Sequence, residues 1–553
     1  MRIRRLGLAF AGVLAALSLT AGAALAQAAD ALVGQVSSER EGAMEGVVVS
    51  AKKAGSIVTV SVVTDATGHY RFPAARLEPG SYALAIRAAG YDLDGKATAE
   101  VKAGAAGTAD LKLRVARNLP AQLSNAEWLV SMPGSDGQKK ALLNCIGCHD
   151  LDRIVRSTHD ADEFMQIFDR MAGYYPGSTP ENPQRLIGTA RRNIGQGPGL
   201  RAMADYLASV NLSNDDTWTY RLQILPRPKG RATHVVITEY DLPRKKIQPH
   251  DVILDAQGQV WFTHFAEQFL GRFDPKTLKV YEYPLPVIKE GFPIGTLDLE
   301  TEKSGKLWIS MMYQGGVARF DPKTETFETW AVPKEWQTDA TQQAFVTPVA
   351  SDVDGKVWVK NSDRAQILRL DPASGKWETF GSFKDPATGK TITSYGIPAD
   401  AENNLYLLDF ASSNVGRLDA KSGELKVFKG AIANSRPRRG RFDANDHLWY
   451  AQYGGNAIGM LDPKSGKVQE WTLPTPWAQP YDVVTDKNGE AWTGSMLSDR
   501  VSRLNPKTGE FVEYLLPKTT NIRRVFVDNS TTPVTFWVGS NHGASIVKVE
   551  PMD

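Results

Sequence analysis

The chain has 553 residues, too many for one ordinary core, so roughly two to four domains are expected. Hydrophobic residues make up 42% and charged residues 23%, as in soluble globular proteins. The formal net charge is +2, so charge gives no reason to propose a nucleic-acid or membrane-surface partner.

The first residues, Met1 to Arg5, are basic, and Leu6 to Ala26 are apolar, ending Ala24-Leu25-Ala26. This order reads as a secretory signal peptide over 1–26, cleaved near Ala26, giving a periplasmic protein. A retained membrane anchor is the alternative, but the small-residue end favours cleavage, and no later segment is apolar enough to span a bilayer. Arg4-Arg5 is only a weak twin-arginine hint.

Residues 31–115 alternate apolar and polar positions in short runs such as Val58 to Val63 and Tyr82 to Ile86, separated by Gly and Asp turns. A small β-sandwich is expected. Thr64-Asp65, Gly68-His69-Tyr70-Arg71-Phe72, Leu77-Glu78-Pro79-Gly80-Ser81-Tyr82 and Ala89-Gly90-Tyr91 carry a resemblance to the carboxypeptidase regulatory-like domain. It implies a structural or adhesive module.

Residues 116–215 shift to helical periodicity. Phe164, Ile167, Phe168 and Met171 fall on one face, and Leu200, Met203, Leu207 and Val210 on another. Asp160 or Asp162 stands at the first helix start. Cys145-Ile146-Gly147-Cys148-His149 holds the chain's only two cysteines in a C-x-x-C-H motif. Two thiols at that spacing can bond to haem vinyl groups, with the His as an iron ligand. A redox dithiol lacks its usual βαβ setting, and a zinc site lacks further Cys ligands. One covalent haem c on Cys145, Cys148 and His149 is therefore expected. The segment resembles a class I cytochrome c, which implies a small all-α domain and a Met as second axial ligand. Met171 is the choice over Met165 and Met203, with His159 as a bis-His alternative. Phe164 to Met171 resembles the W-x-x-x-V-x-x-M pattern of quinohaem dehydrogenase domains, with Phe164 in place of Trp.

Residues 225–553 repeat with a period of about 45 residues, the length of a four-stranded propeller blade. The strand aromatics are Trp261, Trp308, Trp358, Tyr406, Trp449, Trp492 and Trp537. Returning turns such as Arg272-Phe273-Asp274-Pro275-Lys276-Thr277 and Arg319-Phe320-Asp321-Pro322-Lys323-Thr324 follow. The seventh unit lacks its last strand, and Ile237 to Pro243 supplies one before the first unit. A closed seven-bladed β-propeller is expected. Trp261-Phe262-Thr263, Gly271-Arg272-Phe273 and Tyr281-Glu282-Tyr283-Pro284-Leu285-Pro286 resemble the repeats of the virginiamycin B lyase (streptogramin lyase) family. That family opens a cyclic peptide lactone with a His base, a Glu and magnesium, so a divalent metal in the propeller is left open. His264 stands where the family has Glu, and Asn541-His542 is close in kind to its later His.

Residues before each innermost strand and after each aromatic strand should face the channel. They include His250, His264, Asp409, Arg438, Arg439, Tyr481, Arg523, Arg524 and His542. Converging His and Arg suit an anionic ligand or a metal. His250 and His264 are the catalytic candidates, and Arg438, Arg439, Tyr481, Arg523, Arg524 and His542 the candidate ligand contacts. The fold expected is thus multidomain and mainly β, with a small all-α cytochrome c domain. The function expected is a periplasmic monohaem cytochrome in electron transfer, as a dehydrogenase of a small molecule or as a carrier for a redox partner protein. A lyase or a non-catalytic docking module is the alternative.

Overall fold

The computed structural model describes residues 30–188, 190–192, 199–212, 217–347 and 354–553. The leader expected over 1–26 lies outside them. Among the described residues, no helix is long and apolar enough to cross a membrane.

The chain is mainly β, in eight sheets: six belong to the propeller, one to an N-terminal module and one is shared by the two. The innermost strand of the first blade is Pro249–Leu254, followed outward by Val260–His264, Phe269–Asp274 and Lys279–Pro284, all antiparallel. The second strand is wholly buried and the outermost alternates exposed and half-buried residues, as expected of a blade wedged between two others.

The repeat has a physical cause that the structure makes plain. Trp261, Trp308, Trp358 and Trp492 are fully buried. Four indoles donate to a carboxylate six residues earlier: Trp261 to Asp255 and Trp308 to Glu302 at 2.8 Å, Trp449 to Asp443 and Trp492 to Asp486 at 2.9 Å. The same Asp255 accepts the backbone N–H groups of Gln257 and Gln259, which forms the turn. Across the strand, Trp261 pairs with Arg272, Trp308 with Arg319, Trp358 with Arg369 and Trp492 with Arg503. Each guanidinium lies over its indole, at 5.6, 5.4, 4.9 and 5.3 Å. In the first and sixth blades one Asp, one Trp and one Arg thus fix turn, core and strand pairing together, and the other blades keep part of the set.

Strand Val235–Asp241 pairs with Ser545–Pro551 and closes the ring. On its other edge it pairs with Val58–Val63. The last blade and the N-terminal module therefore share one eight-stranded sheet, through Val48–Lys53, Gly80–Arg87 and Ala97–Val101. The two faces of this seam serve different cores. Val60, Val62 and Val236 pack with Leu32, Tyr70 and Phe72 of the N-terminal module. Val48, Val63 and Ile237 pack with Trp492 and Val525 of the propeller. Pairing also covers what would be an open blade edge.

Between these β regions, Asn125–Ser131 and Ala161–Ala172 are helices with complete capping boxes at Ser124–Glu127 and Asp160–Glu163. Leu200–Val210 packs on the second of them. An independent all-α cytochrome domain is not what they form. Leu143, Ile146, Phe164 and Leu207 share a single core with Tyr453, Tyr481, Met496 and Leu497 of the propeller. The helices alone do not enclose that core, so the segment sits as a cap on one propeller face. Ala126 N donates to the Leu497 carbonyl at 3.0 Å, and Asn521 Nδ2 to the Ile146 carbonyl at 3.1 Å. The Pro-Gly loop after Met171 is tied to the first blade, where Tyr175 O–H donates to the Phe265 carbonyl at 2.8 Å.

Candidate functional site at the capped propeller mouth

A device repeated around the ring positions the site. In five blades the innermost strand has a register shift that sets two residues opposite one. The pairs are His250-Asp251, Ala344-Phe345, Arg438-Arg439, Tyr481-Asp482 and Arg523-Arg524. Tyr395 stands in the same place in the fourth blade, beside the Ser394–Asp409 bridge. A bulge re-aims its residues. In the pairs Arg438-Arg439 and Arg523-Arg524 the first member reaches the cavity under the cap and the second joins the carboxylates of the channel.

The second members form a buried ion network that plugs the channel. Arg439 donates to Asp251 at 2.9 and 3.0 Å and to Asp298 at 2.5 Å. Arg524 donates to Glu300 at 2.6 Å and Asp251 at 3.3 Å, and Arg441 to Asp482 at 2.8 Å. Burial works against the Asp251 carboxylate, but Arg439, His250 and Arg524 together outweigh it and hold it well below the usual range. Arg439 and Arg524 are thus each paired with carboxylates of the channel wall.

Beneath the cap lies a cavity of about 420 Å³ lined by Arg438, Arg523, Lys360, Tyr395, Phe345 and Tyr453 among others. Arg438 is 8% exposed and Arg523 4%. Among the described residues neither guanidinium has a carboxylate partner. Arg438 donates to Tyr395 Oη at 3.2 Å and lies over the rings of Tyr395, Tyr453 and Tyr481 at 4.5, 4.3 and 4.2 Å. Arg523 donates to the Gly147 carbonyl of the cap at 3.2 Å. The Nε atoms of both are buried without a hydrogen-bond partner.

From Tyr395 a chain of contacts runs inward. Tyr395 Oη is 2.7 Å from Tyr481 Oη, which is 3.2 Å from His250 Nε2, and His250 Nδ1 is 2.7 Å from Asp251. Burial lowers His250 to about 4 despite Asp251, so the imidazole is neutral at pH 7. Burial opposes ionisation of Tyr395, yet Arg438 and the hydrogen bond from Tyr481 outweigh it and set the phenol below its ordinary value. Burial and the neighbouring Tyr395 hold Tyr481 far above. Two coupled phenols pushed apart in this way suit one proton-accepting and one proton-holding role.

Lys360 completes the cavity. It lies opposite the bulge of the third blade, where the other blades carry Thr263, Ser310, Leu408, Ala451, Gly494 and Gly539. Burial lowers it to about 7.

The expected candidates therefore divide. Arg438 and Arg523 reach the cavity, and Tyr481 stands directly behind it. His250 and His264 are not brought together, and neither lines the cavity. His264 is fully buried 3.4 Å from Glu282 and 3.6 Å from Glu267, stacked on Phe262. It ends the second strand of the first blade, Val260–His264, away from the cavity. His542 lies 3.6 Å from Asp150 in a separate cleft of about 300 Å³. Asp409 caps its own turn through Ser412 at 2.5 Å. Lys360, Tyr395 and the cap contacts were missed.

Cys145, Cys148, His149 and Met171 line one further cavity of about 450 Å³ within the cap, with His159 and Phe164. His149 Nδ1 lies 3.0 Å from the Asp150 carbonyl oxygen, and burial keeps the imidazole below its ordinary value. Among the described residues, no group of three or more His, Cys, Asp or Glu side chains is arranged to hold a metal ion.

Residues 292–551 match the Virginiamycin B lyase family and residues 31–114 the Carboxypeptidase regulatory-like domain. The chain thus carries a virginiamycin B lyase-like propeller and a carboxypeptidase regulatory-like domain. Similar solved structures include virginiamycin B lyase from Staphylococcus aureus, at 21% identity and TM-score 0.48, covering 57% of this chain and 98% of that one. A streptogramin B lyase follows at 19% identity and TM-score 0.48, covering 57% and 97%. No curated protein matches the chain. These matches overturn the electron-transfer cytochrome, and with it the dehydrogenase or carrier role. The matched families are a lyase and a regulatory-like module, and neither match includes the helical segment on which the cytochrome reading rested.

Proposed function

We propose that the capped mouth is the active site of a lyase acting on a small carboxylate-bearing molecule. One observation carries this reading: Arg438 and Arg523 are buried on the cavity wall with no carboxylate partner among the described residues. Leaving a guanidinium buried and uncompensated is costly, and an anionic ligand repays it. The lyase class comes from the family match of the propeller; the residues differ from those of the peptide-lactone reaction, so that substrate is not carried over.

In this mechanism the substrate carboxylate accepts hydrogen bonds from Arg438 and Arg523. Tyr395, whose ionisation Arg438 and Tyr481 favour, takes the proton from the carbon beside the carboxylate once it has given up its own. The C–H electrons form a C=C bond as the leaving group departs with its bonding pair and takes a proton from water. Arg438 and Arg523 stabilise the negative charge that grows on the carboxylate. Tyr481 has two acceptors, Tyr395 Oη and His250 Nε2, and turns its O–H from one to the other as Tyr395 gains and loses a proton. The cap limits water at the site. The test is a panel of carboxylates bearing a hydroxyl or an ester one or two carbons away, assayed for an unsaturated product. Turnover abolished in Tyr395→Phe supports the reading. A chain that binds carboxylates without turning any over favours the docking-module alternative.

The cavity within the cap supports a separate proposal about a cofactor. Cys145, Cys148, His149 and Met171 share its wall, which fits a covalent haem c with His149 and Met171 as iron ligands. Such a group would supply an iron centre held by the cap, and no step above runs through it. Intact mass and a reduced absorption spectrum of the exported protein test it. Export to the periplasm, removal of residues 1–26, and a division into modules at 31–115, 116–215 and 225–553 belong to the same proposal.

A further inference from the structure

Lys360 is more than its place in the fold requires. Opposite the bulges of the first two blades, Thr263 and Ser310 donate a hydroxyl to the next blade, to the Leu297 carbonyl at 2.9 Å and the Ala344 carbonyl at 3.0 Å. Lys360 Nζ makes the equivalent bond to the Tyr395 carbonyl at 3.3 Å. A hydroxyl suffices for that tie. The third blade instead places a primary amine there, on the wall of the same cavity as Arg438 and Arg523.

The surroundings of the amine are apolar. Lys360 is 8% exposed, and Nζ lies 5.5 Å from the Phe345 ring centre and 5.4 Å from that of Tyr395. Among the described residues no carboxylate pairs with it, and burial alone lowers it to about 7. An amine without its proton is a nucleophile, and desolvation in an apolar pocket is how lysine becomes one. The Arg438 guanidinium sits 4.5 Å from the same Tyr395 ring centre, so no more than about 10 Å separates it from Nζ. A carboxylate bound at Arg438 and a carbonyl a few carbons away fit that span.

We infer that Lys360 captures a carbonyl group as an imine, and that the anion held at the mouth is a small oxo acid. This rests on the proposed anion site and names its substrate class. Neutral Nζ adds to the carbonyl carbon, and the oxygen takes a proton to give a carbinolamine. The C–O bond then breaks, water leaves, and the nitrogen lone pair forms the C=N bond of an iminium ion. No electrons are gained or lost overall. The iminium draws electrons from the neighbouring carbon, and the proton there becomes the one Tyr395 removes.

The experiment uses the full-length protein with pyruvate, and separately levulinate, and sodium cyanoborohydride, which reduces an imine to a stable amine. The expected result is one adduct by intact mass, mapped by peptide sequencing to Lys360. Labelling should be at least tenfold slower in Lys360→Met, in Lys360→Thr, which restores the first blade's residue, and in Arg438→Leu. Its rate should rise through a midpoint near pH 7. Propionate, which has no carbonyl, should protect Lys360 by occupying the arginines. Labelling of surface lysines that is equal in wild type and Lys360→Thr overturns the imine. If propionate still binds in an Arg438-dependent way in that case, the anion site stands and only the imine falls. If it does not bind, both fall.

Discussion

Replacing Lys360 by Met removes the amine and keeps the length of the side chain. In the unfolded chain the lysine holds its proton up to about 10.5, whereas in the fold burial lowers it to about 7. Between these values the unfolded state binds more protons, so stability rises with pH across that window. At and below pH 7 the fold carries nearly the full penalty of the buried amine. At about 1.36 kcal/mol per pH unit, that penalty is about 4 kcal/mol at pH 7 and about 1 kcal/mol at pH 9.5. Losing the bond to the Tyr395 carbonyl costs about 1 kcal/mol in return. Lys360→Met is therefore expected to be more stable than wild type by about 3 kcal/mol at pH 7, and about equal to it at pH 9.5. Urea unfolding, followed by tryptophan fluorescence at both pH values, reads the difference directly. An equal effect at the two pH values, or a loss of stability at pH 7, would refute the claim that the amine is buried and uncompensated.

Three other outcomes follow from the same geometry. Ultraviolet titration should show one phenol ionising below the ordinary tyrosine range, absent in Tyr395→Phe and moved upward in Arg438→Leu; an unchanged titration in both variants contradicts the assignment. Arg524→Leu strips Asp251 and Glu300 of a buried partner and should destabilise the fold by about 3–5 kcal/mol, as breaking a buried pair does; a neutral effect on urea unfolding would mean that the channel network is wet. Trp492→Ala empties the space between the last two blades and removes the stacking of Arg503, for a loss of about 3–5 kcal/mol, whereas Trp492→Phe should lose much less in the same measurement.

The repeat made the propeller legible in the sequence because each blade sets an aromatic on its second strand, and most face it with an Arg across the strand pair. The closing strand Val235–Asp241 was legible for a related reason, since one unit lacked what the other six had. The paired residues at the bulges could be read as channel-facing, but not which member faces the cap, because a bulge changes direction within two residues. Arg438 and Arg439 are neighbours in sequence with opposite surroundings, one unpaired and one bound to two carboxylates. Tyr395 was invisible because its blade replaces the innermost strand by irregular chain. Lys360 left a signal that went unused: it is the one cation at a position that elsewhere holds Thr, Ser, Leu, Ala or Gly. The cytochrome reading went astray by extending a local motif to the whole chain. C-x-x-C-H says which thiols and imidazole are close together, and the helices around it turned out to share their core with the propeller they cap. That contact joins residues hundreds of positions apart, such as Asn521 and Ile146, and no local pattern announces it.

The central claim is that Arg438 and Arg523 await an anion. The most direct measurement is calorimetric titration of the full-length protein with pyruvate, beside the Arg438→Leu and Arg523→Leu variants. Saturable binding that weakens at least tenfold in each variant, with both variants still folded by circular dichroism, is the expected result. Binding of equal strength in all three proteins would place the anion elsewhere and contradict the account.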